Sequence, residues 1–210
     1  MLNLLILMIF FIGAYDGYKR GIILKLLQAI GFTVIIIFTM DYYKLLSDFL
    51  YLLVPYPTPF APEANPYLFY DERFIFSMDM SYYNMLAFLI IFLVGWVLVK
   101  FLIQFISYTL EKLRAPEPLS GIGGAIIGIA TNYIGLFFLF TFLTTIPLDI
   151  IQTQLFDSSI AHKMVTSTPE LSERVYQTFI VEENEKAAQE LPTMDIEPVV
   201  QEEPVEENQE

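Results

Sequence analysis

Cysteine is absent from the 210 residues, which excludes disulfide frameworks, thiolate catalysis, zinc–cysteine sites and iron–sulfur ligation. Histidine occurs once, at His162, and with no second histidine to pair with it reads as a surface residue rather than a base or ligand. Cations are scarce: 11 Lys and Arg face 24 Asp and Glu, for a formal net charge of −13. That balance argues against nucleic acid, whose phosphate backbone requires clustered cations. H-E-x-x-H and G-x-S-x-G are missing, and Gly121-Ile-Gly-Gly-Ala lacks the Lys-Ser/Thr ending of a phosphate loop. Acid pairs such as Asp71 and Glu72 sit in a loop. The expectation is a protein with no catalytic constellation, metal or cofactor.

What is present is apolar: 55% hydrophobic and 16% aromatic residues. The charge is unevenly spread. Residues 1–147 hold 9 acids and 8 cations, a net of −1, whereas 148–210 hold 15 acids and 3 cations, a net of −12. The acidity is therefore an appendage to a nearly neutral apolar chain.

Four apolar runs approach the roughly 20 residues needed to cross about 30 Å of hydrocarbon. They are Leu2 to Tyr15, Gly21 to Met40 with Lys25 its only charge, Tyr82 to Val99 continuing past Lys100 to Leu110, and Gly121 to Leu148. The first is short, reaching about 21 Å at 1.5 Å per residue. Tyr15 and Tyr18 in an interfacial belt, with Lys19 and Arg20 snorkelling beyond it, extend it. The expected fold class is an all-α integral membrane protein with four transmembrane helices, spanning about 2–18, 21–40, 82–106 and 121–147. A disordered acidic C-terminal tail, residues 182–210, completes it.

Cations then set the orientation. Lys19 and Arg20 occupy the first short loop and Lys112 and Arg114 the third, so both loops are expected on the cytoplasmic side, with these four as anchors. Residues 41–81 carry six acids against Lys44 and Arg73 and are expected outside, as are both termini. Lys25 and Lys100 lie within two turns of the cytoplasmic ends, where their stems can snorkel. Gln28, Gln104 and Asn132 are the candidates for interhelical hydrogen bonds.

Residues 55–66 hold five prolines in twelve positions, which remove donors and disfavour helix, so 41–81 is read as an extended external loop ringed by aromatic residues. An external amphipathic segment follows over 149–181. Thr168-Pro-Glu-Leu opens a helix there with a capping residue and proline, and Leu171, Val175 and Phe179 make one apolar stripe. It is expected to lie on the membrane or against the external loop. Residues 182–210 carry 11 acids and one lysine without apolar periodicity.

Glycine carries the informative pattern. Gly13, Gly17 and Gly21 recur every four residues. Gly121, Gly124, Gly128, Asn132 and Gly135 share one helical face, and Gly31 lies in the second run. Small residues on one face let membrane helices approach closely. The alternative for this face is the wet lining of a transport path.

With these features the sequence resembles the CvpA family, named for colicin V production. The resemblance rests on Asp16-Gly-Tyr-Lys-Arg-Gly21 leading into a second run with Gly31-Phe32. It rests also on Pro118-Leu-Ser-Gly121 entering the run with Gly123-Gly124-Ala-Ile-Ile-Gly128, and on Asp157-Ser-Ser-Ile-Ala161 followed by Thr168-Pro-Glu-Leu-Ser172. It covers roughly residues 1–180, and the Pro-rich loop and acidic tail look like the Gram-positive form. The resemblance implies a small protein of the bacterial cytoplasmic membrane that supports peptide-toxin production or export and envelope homeostasis. It supplies no catalytic residues. The expected partners are the lipid bilayer and other membrane proteins or a second copy of the chain. A small transporter or channel subunit is the rival reading.

Overall fold

The computed structural model describes residues 1–57, 66–70, 78–109, 118–168 and 170–182. Among them there is no strand; the elements are α1 (Leu2–Leu53), α2 (Met78–Thr109), α3 (Pro118–Thr144), α4 (Asp149–Asp157), α5 (Ser159–Ser167) and α6 (Leu171–Tyr176), the last continued by a π-helical turn (Gln177–Val181). Three of these, α1, α2 and α3, are long and apolar enough to cross a membrane. Their outward faces remain apolar, with Phe11, Val34, Phe101 and Phe105 all exposed, a surface that lipid rather than water would cover.

α1 is broken at Gly21, whose φ of 77° and ψ of 170° lie outside the helical region and suit only glycine. The contacts show that its two limbs run in opposite directions. On the first limb, Ile9 meets Asn132, Gly13 meets Gly128, and Gly17 meets Gly124, so this limb is antiparallel to α3. On the second limb, Gly31 meets Val99, Ile35 meets Gly95, and Tyr51 meets Tyr83, so that limb is antiparallel to α2. α2 is in turn antiparallel to α3, Tyr82 facing Phe142 and Phe88 facing Phe138. The second limb is thus parallel to α3 and opposed to the first.

The second limb outruns its expected end at Met40 and continues to Leu53, at 1.5 Å per residue a length of roughly 48 Å. Asp41 and Lys44 interrupt the uncharged run but not the helix. Gln28, Phe32, Thr39, Tyr43, Ser47 and Leu50 are all buried, a stripe spaced by three, four and seven residues. No proline intervenes before Pro55. Residues 41–53, read as external loop, are therefore helix.

α3 ends before Ile146-Pro147, where proline disfavours helix at the residue before it. Beyond it, α4 to α6 and residues 66–70 close over one end of the bundle. Buried Gln152 donates from Nε2 to the carbonyls of Thr144 and Ile146, each at 2.9 Å, and accepts from Leu68 N. Asn3 Oδ1 accepts from Ser158 Oγ at 2.5 Å and from Ile160 N, tying the start of α1 to the α4–α5 junction.

The Leu171, Val175, Phe179 stripe enters this cap. Val175 and Phe179 are buried, and the Phe179 ring lies 5.0 Å from Tyr43 and 5.5 Å from Phe88. The segment therefore packs into the bundle as well as against 66–70. Side chains every four residues drift about 40° per step on a helix of 3.6 residues per turn. The wider π turn offsets that drift and seats Ile180 against Tyr67 and Met78. Thr168 is not the helix's first cap: its hydroxyl donates to Met164 O, Tyr133 OH bonds to it, and Glu170 precedes α6 with φ 57°. His162 is half-buried rather than on the surface, its ring 4.9 Å from Phe156 and 5.6 Å from Phe69.

Tyrosines hold the cap. Tyr56 and Tyr67 bond hydroxyl to hydroxyl, and Tyr70 bonds Thr144 at 2.6 Å. Burial pushes the Tyr70 phenol up to about 12, and burial also raises Tyr56 and Tyr67. A raised folded value means that the protonated phenol is the form the fold favours. The associated stability is complete below the ordinary value near 10 and is lost as pH climbs through about 12. For Tyr70 this is on the order of 2–3 kcal/mol. Alkaline titration should show cap tyrosines ionising late and together with loss of the cap; ionisation of every tyrosine near pH 10, with helicity unchanged, would contradict this burial.

Candidate functional site

The end of the bundle opposite the cap gathers most of the residues singled out in the sequence. Gly21's left-handed backbone lets α1 reverse, and Ser120, at the start of α3, accepts from Ile22 N at 3.2 Å. The turn brings Asp16 and Lys25 together although nine residues separate them. Lys25 Nζ lies 2.7 Å from one Asp16 carboxylate oxygen and Arg20 Nε 2.8 Å from the other. Lys25 is only 4% exposed. It does not snorkel; it is a buried cation held by a carboxylate. Lys100 stays exposed and lies over the Trp96 ring, 3.8 Å from its centre. Lys19 lies over Tyr15 at 4.8 Å. Lys112 and Arg114 lie outside the described residues.

Above the turn, the first limb and α3 meet backbone to backbone. A Cβ on Gly17 would collide with the Gly124 carbonyl oxygen, and one on Gly124 with that of Gly17. Gly13 and Gly128 stand in the same relation one turn higher, where Asn132 Nδ2 donates to Ile9 O at 2.9 Å. Gly121 packs beside the Tyr18 ring, and Gly31 against Val99. Gly135 differs: nothing lies within 4 Å of its would-be Cβ, so it is outside this contact. Gly95, against Ile35, plays a packing part that the sequence pattern did not single out. Its only sign was a lone glycine in the middle of an apolar run. Of the other amides, Gln28 is buried and Gln104 exposed. Asn132→Ala should cost about 1 kcal/mol, the usual worth of such a bond between membrane helices, measured by unfolding in micelles. No loss would mean that the amide is solvated instead.

Chemically, this is a site for packing and for holding charge. Among the described residues no group of three or more His, Asp or Glu could hold a metal ion. A cavity of about 390 Å³ opens at the cap end beside Tyr70, Thr141, Thr168 and Ser172. Its hydroxyls are largely committed, Tyr70 to Thr144, Thr141 to Phe137 O and Thr168 to Met164 O.

A lipid-facing apolar exterior, a glycine-mediated helix contact and a buried ion pair held at a turn define a helical membrane protein. A family model described as Colicin V production protein matches residues 2–169, most of the chain, and the chain belongs to that family. It is similar to the uncharacterized transmembrane protein YshB of Bacillus subtilis (strain 168), with 27% identity over 172 residues, covering 82% of this chain and 93% of that protein. No solved structure matches.

Proposed function

We propose that the protein is a non-enzymatic, four-pass component of the bacterial cytoplasmic membrane that supports peptide-toxin production or export and envelope homeostasis by packing against membrane partners. The two limbs of α1 would each cross, with the Gly21 turn in the cytoplasm and the cap outside. The scarce cations at the turn end support this orientation. The family supports the role.

One observation favours the scaffold over a transport path. Over Gly124 to Asn132 the glycine face of α3 is filled by the first limb, Gly17 against Gly124 and Gly13 against Gly128, leaving no room for a solute along that stretch. The glycines serve helix packing in this reading. Three experiments test it. Reporter fusions at Gly21 and after α6 should report cytoplasm and exterior respectively; the reverse pattern would overturn the orientation. A deletion strain should lose toxin release or envelope integrity and regain it with the wild-type gene. Reconstituted protein should pass no solute, and flux abolished by Gly128→Leu would replace the scaffold with a path.

A further inference from the structure

Two cations share one carboxylate at the turn, and a third stands near them. Arg20 and Lys25 both end on Asp16, and Lys100 stands within electrostatic reach of all three. The ammonium of Lys100 has an aromatic face, Trp96, and among the described residues no carboxylate in contact. Three positive charges and one negative leave this cluster at +2. Arg20 engages Asp16 through Nε, and among the described residues the rest of its five-donor fork has no hydrogen-bond partner, leaving those donors for a ligand.

The surroundings are apolar. Ile22, Ile23, Leu26, Phe101, Leu102 and Phe105 are exposed on the second limb and α2. Uncompensated cations in such a place are costly, and the fold offers them no second acid among the described residues. The anion that a membrane supplies at its surface is the phosphate of a lipid headgroup, and basic pockets between membrane helices take such groups. A phosphate also suits the arginine fork, which can meet two of its oxygens at once. A free phosphate would satisfy the charge but gain nothing from the exposed apolar side chains; a lipid satisfies both.

We propose that the turn end of the bundle is a binding site for an anionic glycerophospholipid. Arg20 and Lys100 hold its phosphate, and its acyl chains lie on the exposed apolar face of α2. The Asp16–Lys25 pair sets the position of Arg20. The inference rests on the chain being embedded in a membrane and not on the toxin-export role, so a lipid titration and a deletion phenotype fail separately.

The test uses full-length protein in neutral detergent, with lipid binding followed by native mass spectrometry and by thermal melting. Phosphatidylglycerol should bind and raise the melting temperature, whereas phosphatidylcholine at equal concentration should not. Lys100→Gln should weaken phosphatidylglycerol binding roughly fivefold, the worth of one cation near a charged bilayer. Arg20→Gln should do at least as much, and Lys163→Gln, at the other end, should change nothing. If Arg20→Gln does not fold, Lys100→Gln decides alone, because among the described residues its ammonium contacts only Trp96. Equal binding of the two lipids, an unaltered affinity in Lys100→Gln, or displacement of phosphatidylglycerol by millimolar inorganic phosphate would each overturn the proposal.

Discussion

Gly124→Ala should destabilise the bundle by about 3 kcal/mol or more, a large effect for one methyl group. Overpacking a closely fitted interior usually costs about 1–3 kcal/mol, because neighbouring side chains can move aside. At Gly124 the neighbours are the Gly17 carbonyl and, 2.8 Å away, the Gly21 carbonyl carbon. Both are backbone, and neither has a rotamer to change. Relief requires parting the first limb from α3, which also strains the Asn132–Ile9 bond and the Ser120–Ile22 bond at the turn. Gly17→Ala should behave alike. Gly121→Ala should cost less, since its nearest neighbour is the Tyr18 ring, at 2.7 Å, which can swing. Gly135→Ala should be neutral or slightly stabilising, because alanine is the better helix former by up to about 1 kcal/mol and nothing stands in its way. Unfolding in mixed micelles, followed by circular dichroism, would rank the four. If Gly124→Ala and Gly135→Ala unfold together, the backbone contact is not what holds these helices.

The difference between Gly124 and Gly135 also marks how far the sequence could be read. Spacing by three and four placed Gly121, Gly124, Gly128, Asn132 and Gly135 on one face. Periodicity fixes a face, however, and not where a partner helix leaves it. The close contact of the first limb with α3 runs through Gly17, Gly13 and Ile9 to Asn132, and Gly135 has nothing within 4 Å of its would-be Cβ. The apolar runs revealed where the helices lie. The second limb was cut short at Asp41 because a search for uncharged residues stops at a charge, while the helix follows its buried stripe through Tyr43, Ser47 and Leu50. The cap is mostly long-range. Asn3 bonds Ser158 and Ile160, and Gln152 bonds Leu68, so no local pattern could announce these amides.

The charged cluster shows the same limit more sharply. Asp16 and Lys25 lie nine residues apart, a separation that puts them on different faces of a continuous helix. Only the reversal at Gly21 makes them partners, so a composition-based reading sent Lys25 to the membrane surface. Seen as a buried half of an ion pair, Lys25 predicts something different from a snorkelling lysine, whose loss would be nearly silent.

Asp16→Asn should cost about 3 kcal/mol, because it strips the carboxylate from a lysine that is 4% exposed and from Arg20 beside it. Breaking a buried pair from one side commonly costs about 3–5 kcal/mol. The lower figure applies here because the Asp16 side chain is 38% exposed, so water still screens the pair. Lys25→Met should be far milder. It removes the buried charge and its desolvation penalty together, and Asp16 keeps Arg20 as a partner. The double variant Asp16→Asn/Lys25→Met should regain most of what Asp16→Asn loses, since an apolar side chain of similar length in a buried ion's place is often neutral. Arg20 then stands without its acid, but it is 26% exposed and its fork can turn to solvent or lipid. A double-mutant cycle by micelle unfolding measures the outcome as a coupling energy, expected at 1–2 kcal/mol or more for groups in direct contact, within the roughly 0.5–3 kcal/mol range of such pairs. A coupling below about 0.5 kcal/mol would mean that Lys25 and Asp16 are solvated independently. The turn would then be held by Gly21 and the glycine contact above it, with the charges contributing only orientation.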